Sequence, residues 1–137
     1  MSKKYFPIFH ELTQSNLFTQ NSEFFIFSTF IGEKHQRRSP LEGKHELCRA
    51  VTLSSYDLAA IKALYLQENN TLANVKDAIQ LAEQYANGGV EYLIEHVLTD
   101  FIYVDEEGNW HLKQERLDDL QIKLFDFILT EKETVPF

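Results

Sequence analysis

Cysteine is nearly absent from this chain. Cys48 is the only one in 137 residues, so no internal disulfide can form, a usage that fits a reducing compartment. Proline and glycine are sparse, three and five residues, and no repeat, low-complexity stretch or linker divides the sequence. No segment approaches the roughly 20 apolar residues that span a bilayer as a helix. The start, MSKKYFPIFHEL, is charged and carries neither a long apolar stretch nor a small-residue cleavage site, so a cytoplasmic location is expected. Several chemistries lack their signatures as well. There is no HExxH for zinc, no Gly-Lys-Ser/Thr loop for phosphates and no Gly-x-Ser-x-Gly elbow for a serine nucleophile.

What is present is an acidic chain rich in phenylalanine. Eleven Phe and six Tyr are many for this length, and such rings go to a core or to an interface. The net charge is −8 and unevenly spread. Residues 1–50 hold seven Lys/Arg against five Asp/Glu, whereas residues 51–137 hold six against sixteen. That acidity argues against a dedicated nucleic-acid binder, which needs many cations on phosphates, and it suits recognition of a basic partner.

The patterning predicts a mainly α fold, one compact domain over 1–137. It should hold five or six helices and one or two short strands or a small hairpin, with 1–4 and 131–137 as loose ends. A first helix is expected over 7–18, with Pro7 in its first turn and Ile8, Phe9, Leu12 and Leu17 on one side. A second, over 22–31, is apolar nearly all round and therefore central, with a strand over 24–31 as its rival because aromatics favour sheets. Gly32 is expected to stop it. A strand over 46–53 follows from its alternation. Ser54 reads as the start of a helix that ends near Asn69-Asn70, and Thr71 as the cap of the next. Asn87-Gly88-Gly89 reads as a turn before a further helix over 90–98, residues 103–112 as a hairpin turning at Glu107-Gly108-Asn109, and 114–129 as the last helix. Phe27, Phe30, Ile61, Leu64, Ile79, Ala82, Leu93 and Leu124 make the expected core.

The best candidate for a functional segment is the basic run after the aromatic helix, Lys34, His35, Arg37 and Arg38, with Lys44 further on. Adjacent arginines can grip phosphate or carboxylate. They can equally stabilise a helix C-terminus or pair with the acidic half of the chain. The histidines offer no ligand spacing: His10-Glu11, His45-Glu46 and Glu95-His96 are sequence neighbours that point in different directions on a helix. No metal and no cofactor is expected. Arg38 and His45 have the spacing of the Arg-x4–6-His motif of a helical RNase superfamily. Pro40 and Gly43 between them would break the helix on which that motif sits. The carboxylates between Asp105 and Asp119 read as a solvated hairpin tip and an exposed helix face.

Three landmarks occur here in a fixed order: the apolar helix closing on Gly32, the segment Arg37-Arg38-Ser39-Pro40-Leu41, and Tyr85-Ala86-Asn87-Gly88-Gly89. In that order the chain resembles the small accessory proteins encoded beside bacterial DNA phosphorothioation (Dnd) modification and defence genes. The resemblance runs over residues 20–98 and leaves 101–137 uncovered. It implies a DNA-defence setting and a role beside larger enzymes, and it brings no catalytic residue with it. The leading expectation is a non-enzymatic accessory or adaptor acting through protein contacts, as a homodimer or in an obligate complex. The excess apolar surface of the second and last helices supports that expectation. A nucleic-acid-binding module using the basic loop 34–44 is the alternative, and a small nuclease or hydrolase a further one.

Overall fold

The computed structural model of the chain describes residues 6–14, 21–39, 53–71 and 74–133. Lys44, His45 and Cys48 lie outside the described residues, as does the strand expected over 46–53 except for Leu53. Helix α1 is Phe6–Gln14, with Pro7 in its first turn. Ile8 and Leu12, one helical turn apart, are both fully buried.

Helix α2 is Asn21–Lys34, and here the reading of Gly32 is corrected. The helix runs through Gly32 and closes two residues later. The amide of Gln36 donates to the Glu33 carbonyl (3.2 Å) and that of Arg37 to the Gly32 carbonyl (2.7 Å). Gln36 itself is left-handed, with φ 55°. These are the two reverse bonds of a Schellman motif, with glutamine where glycine is usual. The Gln36 amide side chain donates to the Glu33 carbonyl (3.0 Å), which supports the turn.

Helix α3, Ser55–Asn69, begins with a capping box. Ser54 Oγ accepts from the Asp57 amide and the Asp57 carboxylate accepts from the Ser54 amide, both at 3.1 Å. It ends on left-handed Asn70. Helix α4 is Val75–His96, capped by Asn74 rather than Thr71. The Asn74 side chain accepts from the Asp77 amide at 2.9 Å. Asn87, Gly88 and Gly89 are helical and buried in the middle of α4, so the predicted turn is absent and the two expected helices are one.

The physical reason is the packing of α2 on α4. A Cβ on Gly32 would overlap the Tyr85 carbonyl, one on Gly89 the Ser28 carbonyl, and one on Gly88 the Arg37 carbonyl. Glycine costs a helix about 1 kcal/mol relative to alanine, and here its bare backbone lets two helices touch main chain to main chain. The other residues at the contact are small: Ser28, Thr29, Ala82 and Ala86 are all buried. Thr29 Oγ1 lies 2.8 Å from the Phe25 carbonyl on its own helix and 3.2 Å from the Ala82 carbonyl on α4. This small-residue side of α2 decides which aromatics go inside. Phe24 and Phe25 are buried, whereas Phe30, expected in the core, projects from the opposite side and is exposed. Phe27 and Ile79 pack at the margin, and Ile61, Leu64, Ala82, Leu93 and Leu124 are buried as expected.

After a 3-10 turn, Thr99–Phe101, the hairpin β1 (Ile102–Val104) and β2 (Trp110–Leu112) pairs Ile102 with Leu112, Tyr103 with His111 and Val104 with Trp110. Its turn is organised by Asp105, whose carboxylate accepts from the Glu107 and Asn109 amides, both at 2.9 Å. A second 3-10 turn, Gln114–Arg116, leads into α5, Leu117–Glu133, so residues 131–133 are helical rather than a loose end. The main buried cluster draws on α1 to α5 and on β2. Among the described residues no helix is long and apolar enough to cross a membrane.

Candidate functional site

The basic segment leaves the end of α2 and crosses α4 at Gly88, where the Arg37 carbonyl occupies the space a side chain would need. Apart from Gln36, whose side chain turns back to α2, the polar side chains from Lys34 to Ser39 meet groups on α4 or α5. Lys34 Nζ donates to the Glu131 carbonyl (2.7 Å) and lies 2.5 Å from the Glu131 carboxylate. His35 Nε2 is 2.9 Å from the other oxygen of that carboxylate. Its ring stacks on Tyr92 at 3.9 Å between centroids, and Tyr92 in turn sits 4.2 Å from His96.

Arg37 makes a two-pronged contact with Glu95, at 2.8 and 2.9 Å, with Glu91 3.7 Å away. Arg38 donates through Nε to the neutral Gln84 amide oxygen (2.6 Å) and lies 5.8 Å over the Tyr85 ring. Ser39 Oγ lies 2.8 Å from Glu91, and the Ser39 amide donates to the Gln84 carbonyl.

The electrostatics follow from these pairs. The hydrogen bond to Glu95 raises the Arg37 guanidinium above its ordinary pKa, and the same bond holds the Glu95 carboxyl below the usual carboxylate value. Burial pushes the Glu131 carboxyl up, but Lys34 and His35 outweigh it and the net shift is downward. Tyr85 is pushed up to about 12, by burial first and then by its 2.5 Å hydrogen bond to Glu68. Lys34, His35, Arg37 and Arg38 are thus brought together beside α4 and the end of α5. Two of the cations, Lys34 and Arg37, already face carboxylates of this same chain. A phosphate approaching Arg37 would have to compete with a bidentate carboxylate. Gln84, Glu91, Glu95 and Glu131, which hold the segment, carry no motif and were not legible as its partners.

A second polar cluster joins α1 to the hairpin. His111 places Nδ1 3.0 Å from Glu11 and Nε2 2.7 Å from Asp105. The second oxygen of Glu11 accepts from the Leu112 amide at 2.8 Å. Both ring nitrogens face carboxylates, so both donate only when the ring is an imidazolium. Those two bonds, Glu11 before Asp105, raise the His111 pKa. Asp105 is held below the ordinary value, by the Asn109 amide first and then by His111. The geometry of this cluster is that of a latch between α1 and the hairpin. No group of three or more His, Cys, Asp or Glu side chains among the described residues is arranged to hold a metal ion.

The third feature is the outer face of α5. Leu120 and Leu124 face the core, whereas Ile122 and Phe125 are 70% and 66% exposed and Ile128 and Leu129 are exposed beside them. The apolar side expected for this helix was Leu117, Leu120, Leu124, Phe127 and Ile128; Leu120 and Leu124 are buried there, whereas Ile128 is exposed.

Comparison with known proteins adds the setting. No curated protein and no solved structure matches the chain. A family model described as DNA sulphur modification system-associated protein 4 matches residues 4–129. That match takes in the α2–α4 glycine contact, the basic segment, the hairpin and most of α5, well beyond the span of the resemblance noted above. With so much of its length matched, the chain belongs to the DNA sulphur modification system-associated protein 4 family.

Proposed function

We propose that the protein is a non-enzymatic, cytoplasmic accessory of a DNA sulphur modification system, and that it works by docking another protein component on the outer face of α5. The observation that carries this reading is the stripe of Ile122, Phe125 and Leu129, exposed on the side of the helix away from Leu120 and Leu124. Contiguous exposed apolar patches of about 300–600 Å² on a monomer are often functional. The charge arrangement supports the same reading over the nucleic-acid alternative. Lys34 and Arg37 are already partnered by Glu131 and Glu95, and the −10 balance over residues 51–137 surrounds the segment with repulsion for a duplex.

The test has two arms. The first is co-purification of tagged protein from cells carrying the modification system, with wild type compared against Ile122→Ser/Phe125→Ser. Loss of the modification-system component from the variant is expected, and its full retention rejects the reading. The second is a duplex-binding titration at two salt concentrations with wild type and Arg37→Ala/Arg38→Ala. Negligible binding near physiological salt is expected. Tight, salt-sensitive binding lost in the double variant would put the basic segment on phosphates and replace the proposal.

A further inference from the structure

We infer that the occupant of the α5 face is a basic amphipathic helix supplied by another protein, an inference that rests on the adaptor reading above. The shape argument comes first. Ile122, Phe125 and Leu129 stand at i, i+3 and i+7, so they form one ridge along about two turns of α5. Such a ridge fits the groove between side-chain rows of a second helix, and the i, i+3, i+7 pattern is that of helix-in-groove recognition.

Charge then chooses the partner. Among the described residues the exposed charges beside the ridge are Glu115, Asp118, Asp119 and Asp126, against Lys123, with Arg116 half-buried. Arg116 is turned back toward its own chain. It donates to the Asp100 carbonyl at 3.1 Å, lies 4.6 Å over the Phe101 ring and is 3.8 Å from Asp119. The rim presented to a partner is therefore acidic. A second copy of this chain, itself at −8, would bring two such rims to one seam, and like-charge juxtaposition disfavours it. An anionic lipid surface is disfavoured for the same reason. A helix with lysines or arginines flanking an apolar stripe complements both the ridge and its rim.

The experiment uses the full chain and a fluorescent synthetic helix of about 18 residues, long enough to fold on a surface. Its leucines are at i, i+3, i+4 and i+7 and its other positions are lysine. A companion peptide has glutamate for every lysine. Binding is read by anisotropy at about 50 and about 300 mM salt. The lysine peptide is expected to bind and the glutamate peptide not. Ile122→Ser/Phe125→Ser should weaken binding at least about tenfold. Asp118→Asn/Asp119→Asn/Asp126→Asn should weaken it about three- to tenfold and flatten its salt dependence. Since the second variant leaves the ridge intact, its salt response tests the charge argument whatever the first does to folding.

Equal binding of both peptides, or lysine-peptide binding indifferent to the two variants, overturns the inference. So does a dimer of the chain alone, seen by sedimentation and dissolved by Ile122→Ser/Phe125→Ser. That last result would leave docking through α5 standing and change only its occupant, whereas unchanged native co-purification of the same variant rejects the docking reading itself.

Discussion

Replacing Gly89 with alanine is the sharpest test of how this fold is held. On an isolated helix the change would stabilise by about 1 kcal/mol, because alanine loses less backbone entropy. Here the new methyl would overlap the Ser28 carbonyl. That oxygen belongs to the α2 backbone, so no rotamer change relieves the overlap and the two helices must separate. Separation stretches the contact of Thr29 Oγ1 with the Ala82 carbonyl, now 3.2 Å, a bond worth about 1 kcal/mol. It also loosens the packing of Ala82, Ala86 and Val90, all completely buried, and overpacking of this kind costs about 1–3 kcal/mol. The gain is smaller than the losses, and the net expectation is destabilisation by about 1–3 kcal/mol. Urea denaturation followed by circular dichroism reads this as a lower midpoint with an unchanged slope, and a melt should fall by several degrees. A Gly89→Ala protein as stable as wild type, or more so, would refute the claim that α2 and α4 touch through their backbones.

Three further outcomes follow from named contacts. His111→Gln removes the imidazolium between Glu11 and Asp105; because the folded His111 pKa is raised above 6.5, its stabilisation is complete below pH 6.5 and disappears as pH rises through the raised value. Wild type and variant should therefore differ by about 1 kcal/mol near pH 5.5–6 and converge at alkaline pH in parallel melts, and a gap independent of pH would sink the latch. Gln36→Gly places glycine at the left-handed C-terminal position of α2, where φ is 55°, and should stabilise by about 0.5–1 kcal/mol after allowing for the lost side-chain bond to Glu33; a lower urea midpoint would contradict it. Arg37→Ala breaks the two-pronged contact with Glu95 at a half-exposed site, so a loss of about 0.5–1 kcal/mol that shrinks with added salt is expected. A salt-independent loss would point to packing instead.

Local signals in the sequence were readable where one residue's own chemistry settles the matter. Ser54 with Asp57 is a capping box visible in four letters, and Asn70 ends the same helix in the left-handed region that asparagine tolerates. Residues 103–112 alternate around Asp105 and Gly108, and the hairpin is there. The errors at the α2–α4 contact share one cause. Gly32 and Asn87-Gly88-Gly89 were read as punctuation, which is what glycine means when only its own neighbours are considered. In the fold they are two halves of a single contact, and each is helical because the other helix needs its missing side chain. Phe30 was misplaced for the same reason. Counting large apolar residues puts it inside α2, whereas the face that packs is marked by Ser28, Thr29 and Gly32, residues that hydropathy ranks low.

That contact also explains why the candidate segment was legible as basic but not as partnered. Once Gly88 lets the chain cross α4 at Arg37, the side chains that follow are laid along one face of that helix. The residues there, Gln84, Glu91 and Glu95, are one and two helical turns apart and so stand in a row. Across 58 residues of sequence nothing relates Arg37 to Glu95; on the surface of α4 they form a bidentate pair. The sequence's uneven charge thus has two fates in the folded chain. Part of the acidic half answers the basic segment internally, and the carboxylates along the outer side of α5 stay exposed beside Ile122 and Phe125. An arginine pair held by its own chain is a poor handle for DNA, whereas an acidic rim around an apolar ridge is a selective one for a basic helix. The physical case for an accessory that binds protein therefore rests on α5 and not on the basic segment after α2.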